Sequence, residues 1–328
     1  MGFFFSKPSY NPDRDIPDLT GKVAIVTGAN NHTTEHLALH GAKVYLACHT
    51  ESKARDAITG IERAHLALKD SGRLVWLPLD LASLRRTKLA AELFLTLENR
   101  LDLLLNNAGR LPEKYVLTED GIKQSVAVNH VGHFVFTDTL LPLLKQTAHL
   151  PDTDVASNGY KMGGTVTRFE SLADFNDAQA APGKENGLTR KLVAHFGTTK
   201  LMNILNTAEL QRRLDEDGEP ITAIALHPGA HHRPLPRSID NSVGAMPWPL
   251  PLLLRRVTLT PLQGASTSLF AATSPRVAAE RGAYKGAYIK PYGVVTPLTR
   301  KEARDPVLAR TLCRTTEAVY MEAIIGHE

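Results

Sequence analysis

Cysteine is scarce: Cys48 and Cys313 are the only two in 328 residues. Cys48 lies in an apolar segment, so a buried thiol is expected rather than a disulfide. No charged-then-apolar leader is evident near the start, and no apolar run is long enough to span a bilayer. The most apolar stretch, Val243–Leu254, is interrupted by Pro247, Pro249 and Pro251. A cytoplasmic protein is the expectation, and the sequon Asn31-His32-Thr33 would then stay unmodified. Basic residues form no run of five or more, and the balance of 38 basic against 34 acidic residues leaves +4. That distribution carries no nucleic-acid footprint. A nucleophile elbow is missing too, so acyl transfer has no framework. His130 and His133, three apart, and His231 with His232 lack a third ligand at suitable spacing, so no metal centre is expected.

What is present is an ordinary globular composition, 43% hydrophobic and 22% charged, with strands and helices in alternation. Residues 1–20 are rich in Pro and Asp and read as an irregular N-terminal arm, with Phe3, Phe4 and Phe5 packing on the body. Gly2 and Ser6 match the bare acylation pattern, but the bulky Phe3 directly after the glycine argues against it. Strands are expected at Val23–Val26, Val44–Ala47, Arg73–Leu81 and Leu101–Leu105. Helices are expected at Ser52–Asp70, with Ala54, Ile58, Ile61 and Leu66 on one side, and after the N-cap Ser83 to Glu98, with a stripe of Leu89, Leu93 and Leu97. A long helix follows over Asp120–Lys145. Asp152–Ser157 stands where a fifth strand is due, although Asp152, Thr153 and Asp154 suit a buried strand poorly. Leu192–Leu214 reads as helix and Ile221–Leu226 as a further buried strand. With no internal repeat and no linker, residues 21–328 form one α/β domain, a doubly wound parallel sheet with helices on both faces. Residues 229–328 supply a lid and C-terminal extension.

Val23–Gly41 organises the rest: a buried strand, the Thr27-Gly28 turn, and a helix whose N-terminus is where a nucleotide pyrophosphate would sit. Thr27-Gly28-Ala29-Asn30, Leu79-Asp80-Leu81, Asn106-Asn107-Ala108-Gly109, Asn129-His130-Val131-Gly132-His133-Phe134, Ala156-Ser157, Lys200 three residues after Gly197, and Pro228-Gly229 follow in order. Together they resemble the short-chain dehydrogenase/reductase family, in particular its retinol-dehydrogenase-like branch and fungal members linked with secondary metabolism. The resemblance covers roughly residues 20–325. It implies a Rossmann-type fold and hydride transfer between NADP(H) and a ketone or alcohol of a small hydrophobic metabolite. It places Ser157, Lys200 and Asn129 at catalytic positions. Gly28, Asp80, Asn107, Ala108, Gly109 and Lys200 take cofactor-binding positions. It also implies pairing of two copies through the helices Asp120–Lys145 and Leu192–Leu214, or a monomer where a long C-terminal segment intervenes. Met246–Leu254 falls where the family builds its substrate lid.

The chain departs from the pattern at several of these positions. Phe196 stands where the family has its proton-donating Tyr, and a phenyl ring has no ionisable proton. His32 and Thr34 occupy positions where glycines let a phosphate approach, and the Gly28–Gly41 stretch is about one helical turn short. His49 replaces an Arg that meets a 2′-phosphate, and Arg233 replaces a Thr near the nicotinamide. Three readings stay open: an oxidoreductase with a repaired cofactor loop; a redox-neutral isomerase, cyclase or dehydratase that uses Ser157, Lys200, Tyr160 or Arg233 to polarise a carbonyl; and a non-catalytic member of the family.

Overall fold

The computed structural model describes residues 10–28, 31–110, 115–147, 152–155, 168–176, 188–228 and 260–325. One eight-stranded sheet runs through them in the order β3-β2-β1-β4-β5-β6-β7-β8. Its strands are β1 (Val23–Thr27), β2 (Lys43–Cys48), β3 (Leu74–Pro78), β4 (Leu103–Asn106), β5 (Asp152–Val155), β6 (Ala223–Leu226), β7 (Tyr288–Lys290) and β8 (Val294–Val295). All neighbours pair parallel except β7 and β8, an antiparallel edge. The parallel, doubly wound sheet read from the alternation is the one observed. Strand β3 ends at Pro78, short of the expected Leu81, although Leu79 N–H still donates to Cys48 O at 3.2 Å. Strand β5 forms where it is due: it pairs with β6 from Asp152 and with β4 from Thr153.

Both faces of the sheet are covered, which explains the near-continuous apolar runs of its strands. Ala24, Val26, Val44, Leu46, Leu103 and Leu105 pack on one side. They meet Leu37 and Ala38 of α2 (Asn31–Leu39), Ala57 and Ile61 of α3 (Glu51–Ala64), and a later helix, Pro261–Thr273. On the other side Ile25, Tyr45, Ala47 and Leu104 meet α4 (Leu84–Leu97) and α6 (Gly132–Thr147). The expected helix over Asp120–Lys145 starts at α5 (Gln124–Val126), passes through a π-helical turn at Ala127–Val131, and continues as α6 past Pro142.

One helix buries a different face from the one expected, and another keeps its expected face but ends early. In α4 the core-facing residues are Leu84, Thr87, Ala90, Ala91 and Phe94. Leu89, Leu93 and Leu97 are 53%, 41% and 52% exposed. An i, i+4 repeat fits two adjacent stripes of this helix. The one holding Ala90 and Ala91 faces α6, where small side chains let two helices approach closely. The helix expected over Ser52–Asp70 ends at Ala64, so Leu66 falls outside it and is exposed while Leu68 is buried.

The described part of the arm, residues 10–20, is more regular than read from the sequence; Phe3, Phe4 and Phe5, expected to pack on the body, lie outside the described residues. Asn11 caps α1 (Pro12–Asp15). Tyr10 is buried, stacks edge-on against Phe270 at 5.4 Å and bonds Thr273 Oγ1 at 3.0 Å. Cys313 is buried and its thiol is pushed up to about 12 by desolvation, whereas Cys48 is half-buried, and both are free thiols.

α7 (Leu172–Asn176) precedes α8 (Leu188–Glu216), the crossover helix from β5 to β6. Beyond the helix Pro261–Thr273, here α9, come α10 (Pro275–Ala279), α11 (Arg281–Tyr284) and α12 (Pro306–Ile325). α12 lies along α8. Arg213 of α8 is paired with Glu317 of α12 at 2.5 Å, and Cys313 Sγ reaches Asn206 Oδ1 at 3.5 Å.

Candidate active site

The strand order reverses between β1 and β4. Beyond the carboxyl ends of those strands lies the crevice where open α/β sheets bind ligands. Gly28 follows β1 directly, and Gly109 lies three residues beyond the end of β4. Gly28 has φ +78°, a left-handed conformation, and a Cβ there would meet Ala108 Cα at 3.2 Å. Glycine is required at this turn for backbone reasons before any ligand is considered.

Thr27 ties the two strand ends together. Its Oγ1 accepts from Ala108 N–H at 2.9 Å and bonds His133 Nε2 at 2.8 Å, and its carbonyl accepts from Asn107 Nδ2 at 3.1 Å. Asn106 Nδ2 donates to Thr137 Oγ1 at 2.9 Å. The expected cofactor positions Asn107 and Ala108 therefore hold the β1–β4 junction. The sequence shows Thr27 as part of the Thr27-Gly28-Ala29-Asn30 motif, but not this tying role, because its partners lie about eighty and a hundred residues away.

Asn129 sits in the π-helical turn, a distortion of the helical ladder that is frequent at functional sites. It is fully buried. Its Oδ1 accepts from Arg110 N–H at 2.7 Å, and its Nδ2 donates to Arg110 O at 3.0 Å and Thr199 Oγ1 at 3.1 Å. One amide thus clamps the segment after Gly109 to α8. On α8, Lys200 is 4% exposed, with Nζ 5.4 Å from the Phe196 ring centroid. A Cβ on Gly109 would stand 3.6 Å from Lys200 Nζ and 3.7 Å from Asn129 Oδ1. Lys200, Asn129, Phe196 and Gly109 are thereby brought together at the lip of the crevice. Ser157, the remaining catalytic candidate, lies outside the described residues, as do Tyr160, Arg233, His231, His232 and the expected lid Met246–Leu254.

Asp80 follows β3. Its Oδ1 accepts from Ala82 N–H at 3.1 Å, and its Oδ2 faces Arg86 at 3.3 Å and His49 at 3.6 Å. The structure joins Asp80 and His49, which were read separately from the sequence. Thr34 is fully buried against the core, and His32 is turned to Glu35 at 3.0 Å.

His130 and His133 serve the interior. Both are fully buried and held down to about 3 by desolvation; the charge of Lys200 adds to the effect at His133. His130 Nε2 bonds Thr316 Oγ1 of α12 at 3.1 Å. Among the described residues no group of three or more His, Cys, Asp or Glu could hold a metal ion, and no helix is long and apolar enough to cross a membrane.

Sequence reasoning missed one further contact here. Lys123, 2% exposed, lies with Nζ 2.7 Å from His195 Nε2, beside Phe196 in sequence.

A family model described as short chain dehydrogenase matches residues 22–149. The chain is 39% identical to the short chain dehydrogenase/reductase dpchH of Colletotrichum higginsianum, over 97% of this chain and 81% of that protein. It is 36% identical to retinol dehydrogenase 14 of Mus musculus, over 81% of this chain and 78% of that protein. Among solved structures, an uncharacterized protein from Mycobacterium paratuberculosis superposes with a TM-score of 0.68 at 25% identity, covering 95% of this chain and 98% of that one. With the strand order and the glycine-lipped crevice, these likenesses identify the chain as a member of the short-chain dehydrogenase/reductase family.

Proposed function

We propose that this protein transfers hydride between a nicotinamide cofactor of the NADP type and the carbonyl or alcohol carbon of a small hydrophobic metabolite, with an altered proton donor. The observation that carries this reading is the buried Lys200 ammonium beside Gly109 and Asn129 at the switch point of the sheet. The residues there fit a dinucleotide: two glycine lips, a lysine at the reacting end, and Asp80 at the end where the family places the adenine. Gly28 and Gly109 would admit the cofactor, Asn107 and Ala108 would line its ribose, and Lys200 would bond ribose hydroxyls and raise the local positive potential. When bound, the nicotinamide would give or take the hydride. Ser157, by the resemblance, would polarise the substrate oxygen.

The NADP preference rests on the end of β2. A carboxylate placed about twenty residues after the first glycine favours the unphosphorylated ribose, and here that place is Cys48-His49. Arg86, exposed and turned to Asp80 at 3.3 Å, offers positive charge for a 2′-phosphate beside that place. The redox-neutral reading draws its support from Phe196, which removes the phenol but leaves Lys200 and Asn129 in place. Parallel titrations with NADPH and NADH test the proposal: saturable binding with NADPH preferred supports it, and no binding of either removes it.

A further inference from the structure

Residues of α6, α8 and α12 enclose a cavity of about 230 Å³ that the hydride-transfer reading does not use. As a crossover helix between parallel strands, α8 runs against them. Asn206, where α8 first lines the cavity, lies about 9 Å along the helix past Lys200, away from the carboxyl edge of the sheet. The cavity is therefore separate from the crevice between β1 and β4.

Its walls are apolar where Phe134, Leu141, Leu210 and Leu214 meet, and α12 contributes the buried Cys313. The cations of its lining are already engaged. Lys145 is held between Asp217 at 2.6 Å and Glu219 at 3.7 Å. Arg213 is held between Glu209 at 2.9 Å and Glu317 at 2.5 Å. Arg212, behind it, shares Glu209 at 2.7 Å and pairs with Glu216.

Asp138 is the exception in this lining. Among the described residues its carboxylate has no hydrogen bond and no ion-pair partner. The places three and four away on α6 hold Phe134, Val135, Leu141 and Pro142, and none of these can pair with it. Asp138 is open to solvent, yet its surroundings raise its carboxyl above the ordinary value. Desolvation acts first and the charge of Glu317 second, against the pull of Arg213. With Asp138 included, three cations stand against six carboxylates around the cavity. The space is apolar inside and carries an uncompensated negative charge at Asp138.

That combination selects a ligand by charge and by size. Apolar cavities of about 150 Å³ take a benzene ring, so this one has room for a ring with a short arm. A cationic head on Asp138 would gain a charge-assisted hydrogen bond, and Phe134 offers it an aromatic wall. An anion would meet the excess of carboxylates, and a neutral molecule would leave Asp138 uncompensated. A second copy of the chain is the competing occupant, because the family resemblance pairs copies through these helices. Here α12 lies along α8 and supplies part of the wall, which leaves a cavity rather than an open helix face.

We propose that this cavity binds a hydrophobic organic ammonium ion, with its apolar body against Phe134, Leu141, Leu210 and Leu214 and its ammonium on the Asp138 carboxylate. The site stands independently of the hydride-transfer reading.

Phenethylamine, charged at pH 7, is the probe, and 2-phenylethanol, with the same ring and arm but no charge, is the control. Each is titrated into the full chain while the methyl NMR signals of Leu141, Leu210 and Leu214 are followed. Saturable binding of phenethylamine is expected, about tenfold or more tighter than that of 2-phenylethanol. Asp138→Asn, which keeps the shape and removes the charge, is expected to bring the affinity for the amine down to that for the alcohol. Leu210→Trp, which fills the cavity, is expected to abolish binding of both. NADPH is expected to leave the affinity for the amine unchanged. Equal affinity for amine and alcohol in the wild type overturns the proposal without recourse to any variant. It is also overturned by no saturation at millimolar phenethylamine, by an Asp138→Asn variant that binds the amine like the wild type, or by competition with NADPH. A dimer in light scattering whose interface shields these methyl groups overturns it in favour of a second copy.

Discussion

The Lys200 ammonium lies 5.4 Å from the centroid of the Phe196 ring, one turn away on the same helix. A cation that a phenol would meet with an oxygen here meets the face of a phenyl ring. Restoring the hydroxyl is the direct probe of what that exchange costs. Phe196→Tyr is expected to raise ketone reduction by NADPH about a hundredfold or more, read as initial rates at saturating cofactor. An unchanged rate would place the block elsewhere.

Gly28 combines φ +78° with a neighbour, Ala108, that a Cβ would approach to 3.2 Å. Gly28→Ala is expected to destabilise the fold by about 1–2 kcal/mol from the left-handed backbone alone, and to weaken NADPH binding because the β1–β4 lip closes. Urea unfolding and a cofactor titration on the same variant check the two effects. A variant as stable as the wild type would contradict the backbone argument.

His130 and His133 give the fold an acid limit. Each has a folded value near 3 against an ordinary value of 6.5. Between those values the unfolded chain binds more protons than the folded one, so stability rises with pH. The stabilisation is fully present above about pH 6.5 and is lost as pH falls toward 3, by up to about 1.4 kcal/mol per pH unit for each histidine. Urea midpoints at pH 7 and pH 5 should differ in that direction. Equal midpoints would show that these rings take protons without unfolding.

α12 bears on assembly. It lies along α8 through the Arg213–Glu317 pair and seats Thr316 on His130, so a partner copy would find part of the α8 surface occupied. A monomer is the expected state in light scattering after size-exclusion chromatography. A stable dimer that retains both contacts would require a different surface.

Much of the sheet was legible from the sequence because strands buried on both faces leave short apolar runs. Val23–Val26, Val44–Ala47 and Ile221–Leu226 all fall within or overlap observed strands. The exposed Leu89, Leu93 and Leu97 show where periodicity is weak. Which of two adjacent stripes is buried in α4 depends on the neighbouring helix α6, and periodicity in α4 alone does not report it. Among the site residues, Gly28, Asn129 and Lys200 were readable through the family pattern. The tying roles of Thr27 and Thr199 were not, because their partners are distant in sequence. The Lys123–His195 pair joins residues 72 positions apart and has no spacing to betray it.

The central claim is that the glycine-lipped crevice between β1 and β4 holds a nicotinamide cofactor despite the shortened α2. Calorimetric titration of the purified protein with NADPH tests it most directly. The account predicts saturable one-to-one binding in the micromolar range, with NADH weaker. No heat and no saturation at millimolar NADPH would contradict it, and would turn attention to redox-neutral chemistry at Lys200 and Asn129.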